Sequence, residues 1–165
     1  MLWTIEPRPW DDPAGAALRA AQRSELDARY GTTDHEPGTP PSAADIDLFL
    51  VALTADGDPV GCGALRRLDP ATAEVKRMYV APAARGCGIS TAILRALETA
   101  ALDHGWTTIR LETGPAQPDA MRFYEREGYH EIPLFGAYIG SDLSVCYERM
   151  LTPGNSLPVS SRPRP

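Results

Sequence analysis

Apolar and polar residues alternate along this chain in short runs that are separated by three helical stretches. The pattern predicts strands at 2–6, 46–55, 60–68, 74–80 and 106–113, helices at 13–30, 89–104 and 120–127, and extended segments at 129–132 and 143–151. The first helix has clear ends, because Asp12 can cap it, Pro13 suits its first position and Gly31 can stop it. Its buried side is predicted to carry Leu18, Ala21, Leu26 and Tyr30.

The order of these segments predicts an α+β fold tending to α/β, a three-layer αβα sandwich around a mixed sheet. The strands from 46 to 80 form an antiparallel meander, and the C-terminal part forms a parallel β-α-β unit. Residues 1–151 are predicted to be one domain, and the polar, Pro-rich segment 152–165 is expected to be a disordered tail. The loop 31–45 is longer than most connections, which favours a functional role for it.

Composition narrows the possible functions. A chain of 165 residues with 43% hydrophobic and 23% charged residues is typical of a soluble globular protein. The net charge of −6 argues against nucleic acid as a partner. The three Cys and three His are scattered without a CxxC motif, so we expect reduced thiols, a cytoplasmic location and no metal. Neither a signal pattern nor an apolar run of membrane-spanning length is present, so no membrane association is expected.

A glycine-rich stretch, Arg85-Gly86-Cys87-Gly88-Ile89-Ser90, lies between the predicted strand 74–80 and the predicted helix 89–104. A loop of this kind presents free backbone N–H groups and the positive end of the helix dipole, which together suit a phosphate. Arg85 adds a bidentate donor. The Lys of a Walker loop is absent, and Thr91 stands where a dinucleotide fingerprint has its third Gly, so both nucleotide interpretations are disfavoured. A structural turn before a core helix is the alternative without a ligand.

Two motifs resemble those of the GNAT family of N-acetyltransferases. The pyrophosphate loop of that family reads Gln/Arg-x-x-Gly-x-Gly/Ala, and Arg85, Gly88 and Ser90 stand in its positions, with Ser90 departing from the pattern but still small. The segment from Glu112 to Pro133 is similar to the motif Asn-x-x-Ala-x-x-Leu/Phe-Tyr-x-x-x-Gly-Phe/Tyr. Its matching positions are Ala120, Phe123, Tyr124, Gly128 and Tyr129, and Gln117 replaces the Asn. The resemblance extends over about residues 45–151.

The resemblance implies an enzyme that transfers an acetyl group from acetyl-CoA to a primary amine, by direct attack in a ternary complex. It implies a bulge in the strand around Met78–Val80 that separates this strand from the next one and frees amides for pantetheine. The residues implied in acetyl-CoA binding are Met78, Tyr79, Val80, Arg85, Gly86, Cys87, Gly88, Ile89, Ser90, Gln117 and Tyr124. The alternative from another class is a non-catalytic, acyl-CoA-binding regulatory domain. A nucleotide-binding protein is a weaker third hypothesis.

The chemistry needs a base for the protonated amine and an acid for the departing thiolate. The resemblance implies that Tyr124 is the acid and Glu74 the first candidate for the base. Glu112 is the second candidate, and Asp34 and Glu36 beside His35 are the third; a water chain also stays open. For each carboxylate the alternative is an ion pair on a solvated face.

The acceptor pocket is predicted to use the first helix, the loop 31–45 and the loop 133–140. The candidate substrate-binding residues are Tyr30, His35, Glu36, Glu112 and Tyr138. The expected partner is a small-molecule amine or a peptide amine, and a homodimer stays open. Cys87 occupies a variable position of the loop, so a covalent role for its thiol is not expected.

Overall fold

The computed structural model describes residues 1–153, so residues 154–165 of the predicted tail lie outside the described part. A seven-stranded sheet and three α-helices make up the fold. The strands are β1 (Trp3–Pro7), β2 (Leu48–Thr54), β3 (Pro59–Asp69), β4 (Thr72–Val80), β5 (Thr108–Thr113), β6 (His130–Ile132) and β7 (Val145–Met150). The helices are α1 (Pro13–Tyr30), α2 (Ile89–Asp103) and α3 (Pro118–Arg126).

The sheet is mixed, with the strand order β1-β2-β3-β4-β5-β7-β6. The first four strands are antiparallel neighbours; short turns join β2 to β3 and β3 to β4, whereas α1 and the loop 31–45 lie between β1 and β2. The parallel pair is β4 and β5, joined through α2. The last strand, β7, returns between β5 and β6 and is antiparallel to both. The predicted mixed sheet, with an antiparallel meander followed by a parallel β-α-β unit, is confirmed.

Alternating residues of the sheet form two buried clusters. On one face, Leu50 and Ala52 of β2 pack in a cluster with the apolar stripe of α2. On the other face, Phe49 and Val51 of β2 pack with Leu18 of α1. Side chains of α3 join the α2 cluster. The helices therefore cover both faces of the sheet in three layers.

Helix α1 begins and ends as its sequence predicts. The Asp12 carboxylate accepts a hydrogen bond from the Gly15 N–H at 3.1 Å, and Gly31 ends the helix in the left-handed conformation. The predicted buried side is partly wrong, because Ala21 is exposed. The buried residues are Gly15 and Leu18, since the Phe49 ring packs closely against Gly15 and sets the rotation of the helix.

A bulge interrupts β4 opposite Gly63. Cys62 pairs with Tyr79 but Ala64 pairs with Lys76, so Arg77 and Met78 together oppose one residue of β3. Arg77 has a φ of 57°, outside the strand region. Two side chains satisfy the carbonyl groups of the bulge: the Cys62 thiol donates to Arg77 at 3.3 Å, and the Gln22 amide donates to Met78 at 2.9 Å. The expected bulge is present, and it lies at Arg77–Met78.

Strands β4 and β5 pair only over their first halves. The parallel register runs from Thr72 to Glu74 on β4 and from Thr108 to Arg110 on β5. Beyond that point β4 continues through the bulge to Val80, while β5 pairs only with β7 on its other side. The two strands separate into a gap that opens toward the start of α2.

Candidate active site

A groove of about 350 Å³ runs along the C-terminal end of β4. Its walls come from α1, the end of β4, the loop before α2, and α3. The predicted acetyl-CoA-binding residues that line it are Met78, Tyr79, Val80, Arg85, Gly86, Ser90, Gln117 and Tyr124. Three others do not line it: Cys87 is exposed, Gly88 caps the helix through its backbone, and the Ile89 side chain is part of the core.

The N-terminus of α2 opens beside this groove with its backbone amides available. Gly86 and Gly88 have φ values of 79° and 83°, which residues with a Cβ rarely adopt. No side chain of the described residues caps α2. The uncapped N–H groups and the helix dipole therefore form a site suited to an anion.

Arg85 is already held in place at the mouth of the groove. Its Nε donates to the Val80 carbonyl at 2.9 Å, which ties the loop to the end of β4. Its Nη2 lies 2.8 Å from a Glu25 carboxylate oxygen of α1, so the guanidinium forms an ion pair with an acidic residue. Binding of a phosphate at Arg85 would compete with Glu25.

This competition predicts opposite effects of two substitutions. Arg85→Ala should weaken acetyl-CoA binding about tenfold, because it removes a charged hydrogen-bond donor. Glu25→Gln should tighten binding by about two- to threefold, since it releases a partly exposed ion pair. Titration calorimetry with acetyl-CoA measures both. Equal affinities in the two variants would contradict a role for Arg85 in phosphate binding.

Behind the groove, between the separated ends of β4 and β5, lies a smaller inner cleft of about 80 Å³. Tyr124 of α3 lines both the groove and the inner cleft, and Glu112 of β5 lines the inner cleft. Within residues 1–153 no hydrogen bond engages the Tyr124 hydroxyl. Burial, together with the nearby Glu112 carboxylate, raises the pKa of Tyr124 well above its usual value, so this phenol keeps its proton at neutral pH.

Glu112 has the properties of a base that works near neutral pH. Burial raises its pKa to about 7, opposed by a hydrogen bond that the Ser144 hydroxyl donates at 2.8 Å. The nearby Glu36 carboxylate raises the pKa further, and the Lys76 ammonium lowers it. A carboxyl group with a pKa near 7 can take a proton from an amine and release it again under physiological conditions.

Glu36 carries a fixed negative charge in the same cleft. Its two oxygens accept hydrogen bonds from Arg77 at 2.8 and 2.9 Å, and Lys76 donates to it at 3.3 Å. Burial would raise the pKa of Glu36, but the Arg77 and Lys76 cations outweigh burial and hold it at about 2. Glu36 therefore stays ionised, and its role is to hold the bulge residue Arg77 against the loop 31–45.

Glu74 lies outside the groove and the inner cleft. Its side chain is buried, with Arg66 at 2.8 Å from one oxygen and the Tyr138 hydroxyl donating to the other at 2.6 Å. Lys76 donates to Tyr138 at 2.8 Å and lies 3.7 Å from Glu74. Glu74 lines a third cavity of about 210 Å³, here called the side cavity. These contacts are those of a structural ion-pair network.

The predicted substrate-binding residues are divided among several places. Glu36 and Glu112 line the inner cleft, and Tyr138 lines the side cavity. His35 is buried, lies 2.7 Å from Asp27 and stacks on Tyr30 with ring centroids 5.0 Å apart. The Tyr30 hydroxyl accepts a hydrogen bond from Gln117 at 3.1 Å, so Tyr30 supports a wall of the groove.

Tyr30 reaches this position because residue 114 has no side chain. A Cβ at Gly114 would overlap the Tyr30 hydroxyl and the Leu143 carbonyl oxygen. Gly114→Ala should therefore destabilise the protein by about 2 kcal/mol, as expected for overpacking. Urea unfolding measures this change. The double variant Tyr30→Phe/Gly114→Ala should recover only part of the loss, because the backbone carbonyl remains; unchanged stability of Gly114→Ala would contradict the close approach.

The sequence interpretation missed two polar side chains that shape the inner cleft. The Gln22 amide donates to the Met78 carbonyl of the bulge. Gln22 lies on the side of α1 that was predicted to be buried and apolar. Ser144 donates to Glu112 from 32 positions away. The buried atoms Gln22 Oε1 and Thr113 Oγ1 have no hydrogen-bond partner within residues 1–153, and both residues line the inner cleft. An unpaired buried polar atom is costly, so both are suited to bind a substrate.

Two further features concern metals and membranes. Among residues 1–153, no three His, Cys, Asp or Glu side chains are grouped so that they could hold a metal ion. In the same part of the chain, the helices are too short or too polar to span a membrane. The cytoplasmic location and the homodimer stay predictions.

Comparison with known proteins places this geometry in a family. A model described as "Acetyltransferase (GNAT) family" matches residues 10–129, which include both sequence motifs. A protein named "IAA acetyltransferase" from Azospirillum brasilense is 38% identical over 104 residues, covering 62% of this chain and 67% of the relative.

Solved structures share the whole fold. A Klebsiella pneumoniae protein named as an acyl-CoA N-acyltransferase has a TM-score of 0.77 at 33% identity, covering 91% of this chain and 98% of that chain. A GNAT family acetyltransferase from Elizabethkingia anophelis, crystallised with acetyl-CoA bound, has a TM-score of 0.66 at 18% identity. The match covers 90% of this chain and 98% of that chain. At 18% identity the likeness concerns the fold alone.

Proposed function

We propose, on the premise that this chain belongs to the acetyltransferase (GNAT) family, that it transfers an acetyl group from acetyl-CoA to a primary amine by direct attack in a ternary complex. The chain is an acyltransferase, as its family and its named relatives are. The class of acceptor, the direct attack and the roles of individual residues are the proposal.

One observation carries the proposal: Tyr124 lines both the groove and the inner cleft, and Glu112 lines the same inner cleft. An acid that touches both spaces can act at a bond that is broken between them. A base in the inner cleft can act on a nucleophile that enters from the other side. This arrangement favours direct transfer between two bound substrates over transfer through an enzyme nucleophile, and Cys87 is exposed and does not line the inner cleft.

The residues of the groove fit acetyl-CoA. The uncapped amides of α2, with Arg85 and Ser90 on the groove wall, suit its pyrophosphate. From Met78 to Val80, β4 lines the groove and does not pair with β5, while Tyr79 and Val80 pair with β3 on the other side; the edge that faces away from β3 suits the pantetheine amides. Bound acetyl-CoA would supply the acetyl group as a thioester.

Glu112 and Tyr124 divide the proton chemistry between them. Glu112 accepts a proton from the ammonium form of the acceptor, because its pKa of about 7 leaves part of it ionised at neutral pH. Gln22 Oε1, an unpaired acceptor in the cleft wall, can take an N–H bond from the amine and orient it. Tyr124 keeps its proton until the sulfur becomes negative and then donates it.

The approach to the inner cleft favours an amine with an uncharged, apolar neighbouring group. Lys76 lines both the inner cleft and the side cavity, so the two spaces share a wall. The side cavity also has Leu68 and Phe135 in its walls. The two cations in its walls form ion pairs with carboxylates, Arg66 with Glu74 and Lys76 with Glu36 and Glu74. The side cavity therefore does not favour an acceptor with an ionic substituent. Small-molecule and peptide amines both meet this description.

An acceptor panel tests the proposed function. The protein is mixed with acetyl-CoA and primary amines that differ in the polarity of the neighbouring group, and released CoA is measured with a thiol reagent. Mass spectrometry of the product shows whether the acetyl group is on nitrogen. Thermal stabilisation by acetyl-CoA without CoA release from any amine would instead support the non-catalytic regulatory domain.

A further inference from the structure

The proton that leaves the acceptor must also leave the protein. An ammonium group loses two protons when it becomes an amide nitrogen, and the thiolate takes up one of them. One proton per turnover is therefore released to solvent, and it starts on the base in the inner cleft. Glu112 is partly buried and lines the inner cleft that the acceptor would fill, so a route must connect its carboxylate with solvent.

Two serine hydroxyls lie in line behind Glu112. Ser144 Oγ is 2.8 Å from Glu112 Oε2, and Ser141 Oγ is 2.9 Å from Ser144 Oγ. Ser144 is buried, with 7% of its surface exposed, and is therefore largely shielded from bulk water. Each hydroxyl can accept one hydrogen bond and donate another, so the three groups form an unbroken chain.

The chain ends at open space. Ser141 lines an outer cavity of about 370 Å³ between the loop 31–45 and the loop after β6. The outer cavity is lined by Asp34, His35, Pro37, Ala137, Ile139, Gly140, Ser141 and Leu143. It shares no lining residue with the groove or the inner cleft, and it meets the side cavity at Pro37 and Ala137, so a proton delivered there leaves without crossing the groove or the inner cleft.

We propose that Ser144 and Ser141 form a hydroxyl relay that carries the proton from Glu112 to water in the outer cavity. Glu112, once protonated, donates to Ser144 Oγ; Ser144 passes its own proton to Ser141, and Ser141 passes its proton to a water molecule. Glu112 ends ionised, each serine ends with one proton, and the water becomes hydronium, so the transfer balances. In the resting state Ser144 donates back to the ionised carboxylate and positions it. The relay rests on the proposed role of Glu112 as the base.

Among residues 1–153, the other groups around Glu112 offer no comparable exit. The titratable groups that face it are Tyr30 from α1, Glu36 from the loop 31–45, Glu74 and Lys76 from β4, Tyr124 from α3, Tyr138 from the loop after β6, and Cys146 from β7. Glu36 is fixed as an anion by Arg77, and Tyr124 opens toward the groove. The serine pair is the connection that leads from the carboxylate itself to a solvent cavity.

The test compares Ser141→Ala with Ser141→Thr. The Thr variant keeps the hydroxyl, and the residue borders open space that can take a methyl group. We expect Ser141→Ala to lower kcat by about tenfold and Ser141→Thr to keep most of it. Added imidazole buffer should restore kcat in Ser141→Ala as it accepts the proton directly. If kcat of the two variants agrees at every pH and buffer concentration, the relay is wrong.

A measurement on the free protein tests the position of Ser144 without turnover. Carbon NMR titration of Glu112 should give a higher pKa in Ser144→Ala than in wild type, because the hydrogen bond to the ionised form is lost. Ser141→Ala should change that pKa less, since Ser144 still donates. An unchanged pKa in Ser144→Ala would overturn the positioning role. Loss of activity in Glu112→Gln with normal activity in Ser141→Ala would reject the relay alone, whereas normal activity in Glu112→Gln would reject the base itself.

Discussion

Glu112→Gln should lower kcat about a hundredfold, which is at the lower end of the range for loss of a positioned base. The amide keeps the size of the carboxyl group and can still accept the hydrogen bond from Ser144, so the wall of the inner cleft should be retained. In wild type, kcat/KM for the amine should rise with pH through about 7, because Glu112 must be ionised to accept a proton. The Glu112→Gln variant should not show this rise of kcat/KM with pH. Initial rates of CoA release between pH 5.5 and 9 measure both effects.

The same substitution has a stability signature of defined sign. The pKa of Glu112 in the folded protein, about 7, is above its ordinary value of 4.5, so between these values the folded state holds more protons than the unfolded state. Protonation of Glu112 therefore stabilises the folded wild type at low pH, and its free energy of unfolding should fall as pH rises from 4.5 to 7. Glu112→Gln should remove that dependence. Urea unfolding at several pH values tests the pKa independently of catalysis.

Glu74→Gln is the matched control, since Glu74 is the other candidate base. It should lower stability by weakening the buried contacts to Arg66 and Tyr138. Its kcat, corrected for folded protein, should stay within about threefold of wild type. A hundredfold loss in Glu74→Gln with little loss in Glu112→Gln would assign the base to Glu74 and contradict the proposed mechanism.

Local patterns were sufficient to predict which residues line the groove and insufficient to predict the inner cleft. The loop from Arg85 to Ser90 is defined by glycine conformations and a helix start, both of which are encoded in a few adjacent residues. Tyr124 belongs to a motif with fixed helical spacing. Each of these features could therefore be predicted from the sequence, and the structure places Arg85, Ser90 and Tyr124 on one groove.

Because of the bulge, the sequence could not decide which of the candidate carboxylates lines the inner cleft. Side chains of a regular strand alternate between faces, so the orientation of Glu74 should follow from that of Met78. The extra residue at Arg77 resets this alternation, and Glu74 turns into an ion-pair network instead. The pKa of Glu112 likewise depends on Glu36 and Ser144, which lie on two distant loops and are brought to β5 only by the tertiary fold.

Tyr124→Phe should lower kcat by about ten- to a hundredfold and leave the affinity for acetyl-CoA nearly unchanged. The substitution removes one oxygen and keeps the ring, which packs near Tyr129 and Tyr147, so the groove should hold its shape. The loss should appear in kcat because the hydroxyl is needed only when the sulfur becomes negative. Steady-state kinetics together with calorimetry of acetyl-CoA binding separate the two quantities.

Tyr129→Phe provides the control for removing a tyrosine hydroxyl. The Tyr129 hydroxyl donates to Glu98 at 2.7 Å, and the residue does not line the groove or the inner cleft, so its loss should reduce stability and spare kcat. If Tyr124→Phe and Tyr129→Phe reduce kcat equally, the effect comes from the shared aromatic packing and Tyr124 is not the acid. If only Tyr124→Phe reduces kcat, the proton donor lies where the groove meets the inner cleft, and the amine must approach from the Glu112 side.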